Sequence, residues 1–284
     1  MVLKMGKAKS GNKPTEDSTI INTNGDSLIP KKKKKFKLIG IDSFGNVIFL
    51  KRMLISVLAS ATYARMNIYN KLKVSGMEHL KGLPSNNVLF ISNHQTYYSD
   101  VMALYHIFCS AKWGLNDVNL PIYILSPRAN MFYVAAEETM KQSGILPKIF
   151  SLTGAVTVKR SWRASGQNVS RGADVSAPAK IKKALDQGWV VTFPQGTTSP
   201  YAPVRKGTAN IIKTYNPVVI PVVIDGFRRA FDKKGLFFKK KGTTLQVRIK
   251  PPMEFDMDDN LNDIVAKITD AIEQNPEKAK SANS

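Results

Sequence analysis

Short apolar runs alternate along this chain with longer segments in which apolar residues recur every three or four positions. Val88-Leu89-Phe90-Ile91, Phe132-Tyr133-Val134-Ala135, Ala155-Val156-Thr157-Val158, Trp189 to Phe193, Val218 to Val223 and Leu245 to Ile249 are too short for helices. They are rich in β-branched and aromatic residues and read as buried strands. Helical spacing marks Val101, Leu104, Tyr105 and Phe108, the segment Ala177 to Leu185, and Asp259 to Gln274 with Leu261, Ile264, Ile268 and Ile272 on its apolar face. Glu137 to about Gln142 reads as a short helix, and the polar, glycine-containing stretch Ser161 to Ser176 as a long loop. Strands alternating with helices predict a single α/β domain with a mostly parallel sheet flanked by helices. Ligands of such sheets bind beyond the carboxyl ends of the strands.

The N-terminal quarter has a different character. Residues 1–35 are rich in Lys, Ser, Asn, Thr and Gly and close on the block Lys31 to Lys35. So little apolar surface cannot offset the chain entropy lost on folding, and this basic tail is expected to be disordered. No apolar core of a secretory signal is visible in it. From Phe44 to about Tyr69, Leu50, Met53, Leu54, Val57, Leu58 and Ala61 recur at helical spacing. The longest charge-free stretch, Met53 to Ala64, is too short to cross about 30 Å of hydrocarbon. Residues 36–73 therefore read as an amphipathic helix lying in a membrane interface, with the lysine block against anionic headgroups. A soluble helix packed on the domain is the alternative. Residues 74–275 form the main domain and 276–284 a C-terminal tail.

Charge sharpens the choice of partners. A net charge of +21 implies an anionic one: a membrane surface, a phosphorylated substrate or nucleic acid. No nucleic-acid motif or aromatic-rich basic stripe is present, so nucleic acid is not expected. The single cysteine, Cys109, rules out an internal disulfide and a multi-cysteine metal site; it falls in a helical segment and reads as core packing.

The candidate chemistry sits at two strand ends. Val88–Ile91 runs into Asn93-His94-Gln95-Thr96-Tyr97-Tyr98-Ser99-Asp100, and Trp189–Phe193 into Pro194-Gln195-Gly196-Thr197-Thr198-Ser199. Histidine exchanges a proton near neutral pH, and a neighbouring carboxylate orients its ring and stabilises the imidazolium. No Gly-x-Ser-x-Gly elbow supplies a protein nucleophile, so a hydroxyl activated by His94 belongs to the substrate. Six residues separate His94 from Asp100, so the two cannot share a helix face. His94 must lie in the loop, with the helix starting near Asp100. A helix N-cap is the alternative role for that aspartate. For Gln195-Gly196-Thr197 the alternative is an ordinary turn, and for Lys159, Arg160 and Lys206 plain solvated charge.

Four blocks in order resemble the lysophosphatidate and glycerol-phosphate acyltransferase family, the bacterial membrane-bound glycerolipid acyltransferases. They are Asn93-His94 through Asp100, Gly154 through Arg160, Phe193 through Ser199 with Lys206-Gly207 following, and Val219-Ile220-Pro221-Val222. The resemblance covers roughly Val74 to Glu254. It implies direct transfer of an acyl group from acyl-CoA or acyl-carrier protein to the hydroxyl of a single-chain lipid. His94 would be the general base and Asp100 its orienting partner. Lys159, Arg160, Gln195, Gly196, Thr197 and Lys206 would bind the acceptor. It implies no cofactor, no metal, and a place at the cytoplasmic face of the inner membrane, monotopic or peripheral.

Three positions depart from the family pattern. The His–Asp interval is one residue longer, so Ser99 occupies the aspartate register. Gln195 replaces a glutamate, and Thr198 replaces an arginine that contacts phosphate. The departures leave open an acylated amino acid as acceptor in place of a lysophospholipid. They also leave open an inactive acyltransferase-like protein, or a basic protein that binds membrane or nucleic acid without catalysis.

Overall fold

The computed structural model describes residues 40–141, 144–160, 163–164, 167–168, 172, 174–256 and 258–281. The expectations for the basic tail 1–35, and for half of the loop from Ser161 to Ser176, lie outside these residues.

Among the described residues nine strands form in chain order: β1 (Lys71–Ser75), β2 (Val88–Ser92), β3 (Met131–Ala136), β4 (Ala155–Val158), β5 (Arg163–Ala164), β6 (Gln167–Asn168), β7 (Trp189–Thr192), β8 (Val218–Asp225) and β9 (Thr244–Ile249). The helices are α1 (Ile48–Asn67), α2 (Ser99–Lys112), α3 (Glu137–Met140), α4 (Ile145–Leu152), α5 (Ala177–Leu185), α6 (Lys206–Tyr215), α7 (Phe227–Ala230), α8 (Leu261–Ala271) and α9 (Pro276–Ser281). Part of the expected C-terminal tail is thus helical.

Seven strands make one sheet in the order β1-β9-β8-β2-β7-β3-β4, parallel throughout except for the β8–β9 pair. β5 and β6 pair antiparallel on their own, inside a stretch that reads from sequence as plain loop. β2 is central, bonded to β7 and β8, and every one of its residues is buried. Alternation along the strands divides the core. Val88, Phe90, Met131, Tyr133, Trp189 and Val191 face the layer containing α1 and α2. Leu89, Ile91, Phe132 and Val190 face the layer containing α5, α6 and α8, where Ile264, Ile268 and Ile272 pack as the spacing predicts. A capping box, Asn260 with Asp263, fixes the start of α8.

The parallel registers bring the carboxyl ends of β2, β7, β3 and β4 to one edge: Ile91 stands opposite Thr192, Tyr133 opposite Val191, and Ala136 opposite Val158. This edge is where the candidate residues collect.

The helix expected over 44–69 forms as α1, with two apolar faces. Ile55, Ala59 and Met66 are buried against the domain; of the stripe picked out by spacing, Leu50, Met53, Val57 and Ala61 are exposed, whereas Leu54 and Leu58 are half-buried and Leu58 packs on the core. Hydrogen bonds pin the packed face: Ser56 Oγ donates to the Ile124 carbonyl at 2.5 Å, and Thr62 Oγ1 lies 3.0 Å from His106 Nε2. His106 is enclosed between Thr62 and the Tyr123 hydroxyl, and burial lowers its pKa to about 4. Cys109 is buried on α2, and desolvation raises its thiol pKa to about 11. Among the described residues no helix is long and apolar enough to cross a membrane.

Lys51 breaks the packed face of α1. It is 3% exposed, its Nζ 3.2 Å from Asn130 Oδ1 and 3.8 Å from the centre of the Phe132 ring. Desolvation lowers its pKa from 10.5 to about 8. The folded protein therefore carries a penalty, fully present below pH 8 and gone above pH 10.5, of about 3 kcal/mol. Lys51→Met should gain stability over wild type at pH 7, and the gap should narrow as pH rises from 8 to 10.5. Denaturant midpoints across that range check this; a gap independent of pH contradicts it.

Candidate functional site

β2 ends at Ser92, and the next residues form a tight loop before α2 begins at Ser99. The buried Asn93 side chain anchors this loop by bonding both backbone groups of Ile224 on β8. His94 Nδ1 lies 3.0 Å from Asp100 Oδ2, with the aspartate fully buried and the histidine side chain 13% exposed. The same carboxylate accepts from the Gln95 amide at 2.5 Å, the Thr96 amide at 3.1 Å and the Thr96 hydroxyl at 2.6 Å.

A carboxylate offers acceptors only, so the proton on this contact belongs to Nδ1. In the neutral ring Nε2 then keeps its lone pair. Asp100 is not the N-cap of α2: it lies within the first turn and reaches back into the preceding loop. Ser99, one residue earlier, turns away and donates to the Gly235 carbonyl at 2.6 Å. The additional residue between His94 and Asp100 is absorbed by this loop.

The second motif supplies a wall. Phe193, just past β7, stacks on the His94 ring at 3.9 Å between centroids and 19° between planes. The two rings open on a cavity of about 1080 Å³, whose apolar lining includes Tyr98, Val101, Tyr133 and Phe150. Its charged lining comprises Lys159, Arg160, Arg205 and Lys206 together with Glu138 and Asp174. Arg160 is held by Glu138, at 3.1 Å from Nε and 2.6 Å from Nη2, and its Nη1 donates to the Gly196 carbonyl at 3.3 Å. The Lys159 amide and the Ser176 hydroxyl hold the Asp174 pKa down at about 2.

Of the residues singled out in sequence, His94, Lys159, Arg160, Gly196, Thr197 and Lys206 line this one cavity. Asp100 stands behind His94. Gln195 does not line it: its buried side chain donates to the Ala202 carbonyl at 2.8 Å and to Gln274 Oε1 at 3.1 Å. Gln195 therefore shapes the turn from behind.

Three contributors were not identified as site residues in sequence. Thr96 supplies two of Asp100's donors, and its spacing of four before the aspartate was the available signal. Glu138 and Arg228 had none. Arg228 joins the two motif loops, its amide donating to Gln95 Oε1 at 3.1 Å and its guanidinium to the Thr198 carbonyl at 2.6 Å.

Asp100→Ala leaves buried donors without a partner and should cost about 3 kcal/mol or more; Ser99→Ala, which removes one hydrogen bond, should cost about 1 kcal/mol. Denaturant unfolding of the two variants checks the order. Equal losses would contradict this assignment of the carboxylate's role.

The family model described as Acyltransferase matches residues 71–225. Among solved structures, the chain is similar to the crystal structure of the 1-acyl-sn-glycerophosphate (LPA) acyltransferase PlsC from Thermotoga maritima, at 19% identity and a TM-score of 0.49, covering 81% of this chain and 79% of that one. No curated protein matches the chain.

Proposed function

Because this chain belongs to the acyltransferase family, we propose that it moves a fatty acyl group from a thioester donor, acyl-CoA or acyl-carrier protein, to the hydroxyl of a single-chain lipid at an anionic membrane surface. The observation that carries this reading is His94: held through Nδ1 by a buried carboxylate, stacked on Phe193, and lining a cavity that offers both apolar and charged side chains.

In this mechanism Nε2 takes the proton of the acceptor hydroxyl. The oxygen attacks the thioester carbonyl, the C–O bond forms, the C–S bond breaks, and the imidazolium returns its proton to the departing thiolate. Asp100 keeps Nδ1 protonated and stabilises the imidazolium. General-base catalysis of this kind contributes roughly 10²–10⁴-fold, and holding both substrates in one cavity supplies more. The apolar lining residues suit an acyl chain and the cationic ones an anionic head. At the surface, the exposed face of α1, with Leu50, Met53 and Val57, lies in the bilayer interface.

Two observations favour an acylated amino acid over a phosphate-headed acceptor. Thr198 stands where the family pattern places a phosphate-contacting arginine, and Arg160 is already bound by Glu138. A singly charged carboxylate places a smaller demand on the remaining cations than a phosphate monoester does.

The test is detergent-solubilised protein with labelled acyl-CoA or acyl-carrier protein and a panel of hydroxyl-bearing single-chain lipids. His94→Ala should lower transfer by about 10²-fold or more. An N-acyl amino acid bearing a free hydroxyl should show a higher kcat/KM than lysophosphatidate. Equal activity of His94→Ala overturns the mechanism, and a preference for lysophosphatidate overturns the acceptor assignment.

A further inference from the structure

Residues 231–241, after β8 and α7, form a cationic loop beside the site. Lys233, Lys234, Lys239, Lys240 and Lys241 are all exposed on it, and Phe237, whose carbonyl accepts the Asp232 amide at the base of the turn, is 72% exposed. The one carboxylate, Asp232, is turned inward to accept the Leu236 and Phe237 amides. Nothing in the fold requires an exposed aromatic ring among five lysines, because such a ring gains nothing from water.

The loop packs on the end of α1. Arg65 donates to the Leu236 carbonyl and its guanidinium lies 4.9 Å from the Phe238 ring centre, while Lys241 Nζ lies 5.0 Å from that of Tyr69. Ile68, just past α1, is 71% exposed, and Phe49 near its start is 70% exposed. Phe49, Met53, Val57 and Ala61 follow at four-residue intervals, on one face of the helix. An exposed apolar stripe beside a loop with an exposed aromatic ring and five exposed lysines has the composition of a surface for an anionic bilayer.

The inner side of the loop touches the catalytic segment. The Lys233 carbonyl accepts the Tyr97 amide at 3.1 Å, the Lys234 carbonyl the Tyr98 amide at 3.0 Å, and the Gly235 carbonyl the Ser99 hydroxyl. These are three of the five residues between His94 and Asp100. The approach is close: Gly235 has φ +82°, and a Cβ there would meet the Ser99 nitrogen at 2.7 Å. Tyr98 also divides the main cavity from a smaller one that Lys234 and Leu236 help to line.

We propose that residues 231–241 dock on anionic lipid headgroups with Phe237 entering the interface, and that the bonds to Tyr97, Tyr98 and Ser99 tie this docking to the geometry of the His94 loop. The proposal rests on the membrane-acting acyltransferase reading above and adds a second contact element to α1. Each lysine near such a surface is worth about fivefold in partitioning.

The test measures sedimentation of the full chain with phosphatidylcholine vesicles, with and without one-third phosphatidylglycerol. Lys240→Glu/Lys241→Glu should lower partitioning onto the anionic vesicles by about 10²-fold or more, Phe237→Ala should lower it by a smaller factor, and neither should change partitioning onto neutral vesicles. Transfer to an acceptor in detergent micelles should stay at the wild-type rate in both variants while transfer to a vesicle-borne acceptor falls. The Tyr97 and Tyr98 amides should exchange hydrogen more slowly when anionic vesicles are added.

Unchanged partitioning of both variants overturns the docking. Unchanged amide exchange overturns the coupling. Wild-type partitioning with a raised KM only for acyl-carrier protein would reassign the surface to an acidic protein donor. Vesicle binding is read without acyl transfer, so loss of the acyltransferase reading and loss of this proposal give different results.

Discussion

The site depends on a buried carboxylate that meets four donors. Asp100 is removed from water at the start of α2, which costs several kcal/mol for an unpaired ion. The imidazole of His94, two successive backbone amides and the Thr96 hydroxyl offset that cost. Each donor comes from residues 94–96, so satisfying the charge also determines the path of the loop. A chain that left this carboxylate half satisfied would fold poorly, and the histidine orientation comes with the loop's stability.

The sheet supplies what this interaction cannot. β2 is buried on both faces and bonded on both edges, so the strand end that launches His94 is rigid. The parallel neighbour β7 ends at the same edge and delivers Phe193 onto the imidazole. β4, two strands further, brings Lys159 and Arg160 to the same cavity. The β8–α7 connection closes the other side, with Arg228 fastening Gln95 to Thr198. Within this frame one cavity beside His94 is lined by both apolar and charged side chains, an arrangement suited to a molecule with a chain and a head.

Much of this was legible in the residues. Ala155–Val158 and Ala177–Leu185 form with the bounds their patterns indicate, because each is a clean run with one periodicity. β1 went unnoticed: in Lys71-Leu72-Lys73-Val74-Ser75 two apolar residues alternate with lysines, too short a pattern to stand apart from loop. α1 was legible as a helix but not in orientation. It is apolar on two sides, and periodicity cannot say which side meets the core. Gln195 shows another limit. Its place in a motif is a fact of sequence, but the direction of its side chain depends on Gln274, far along the chain. Glu138 likewise acquires its place only when β3 and β4 pair and Arg160 comes within reach.

Asp100 fixes the His94 ring with its proton on Nδ1 and, in the neutral ring, a free lone pair on Nε2. Nitrogen-15 NMR of imidazole-labelled protein at neutral pH reads this directly. A protonated Nδ1 and an unprotonated, pyridine-type Nε2 are expected for His94, with that tautomeric preference lost in Asp100→Ala. A His94 protonated on Nε2 in the wild-type protein, or unaffected by removal of the carboxylate, would contradict it.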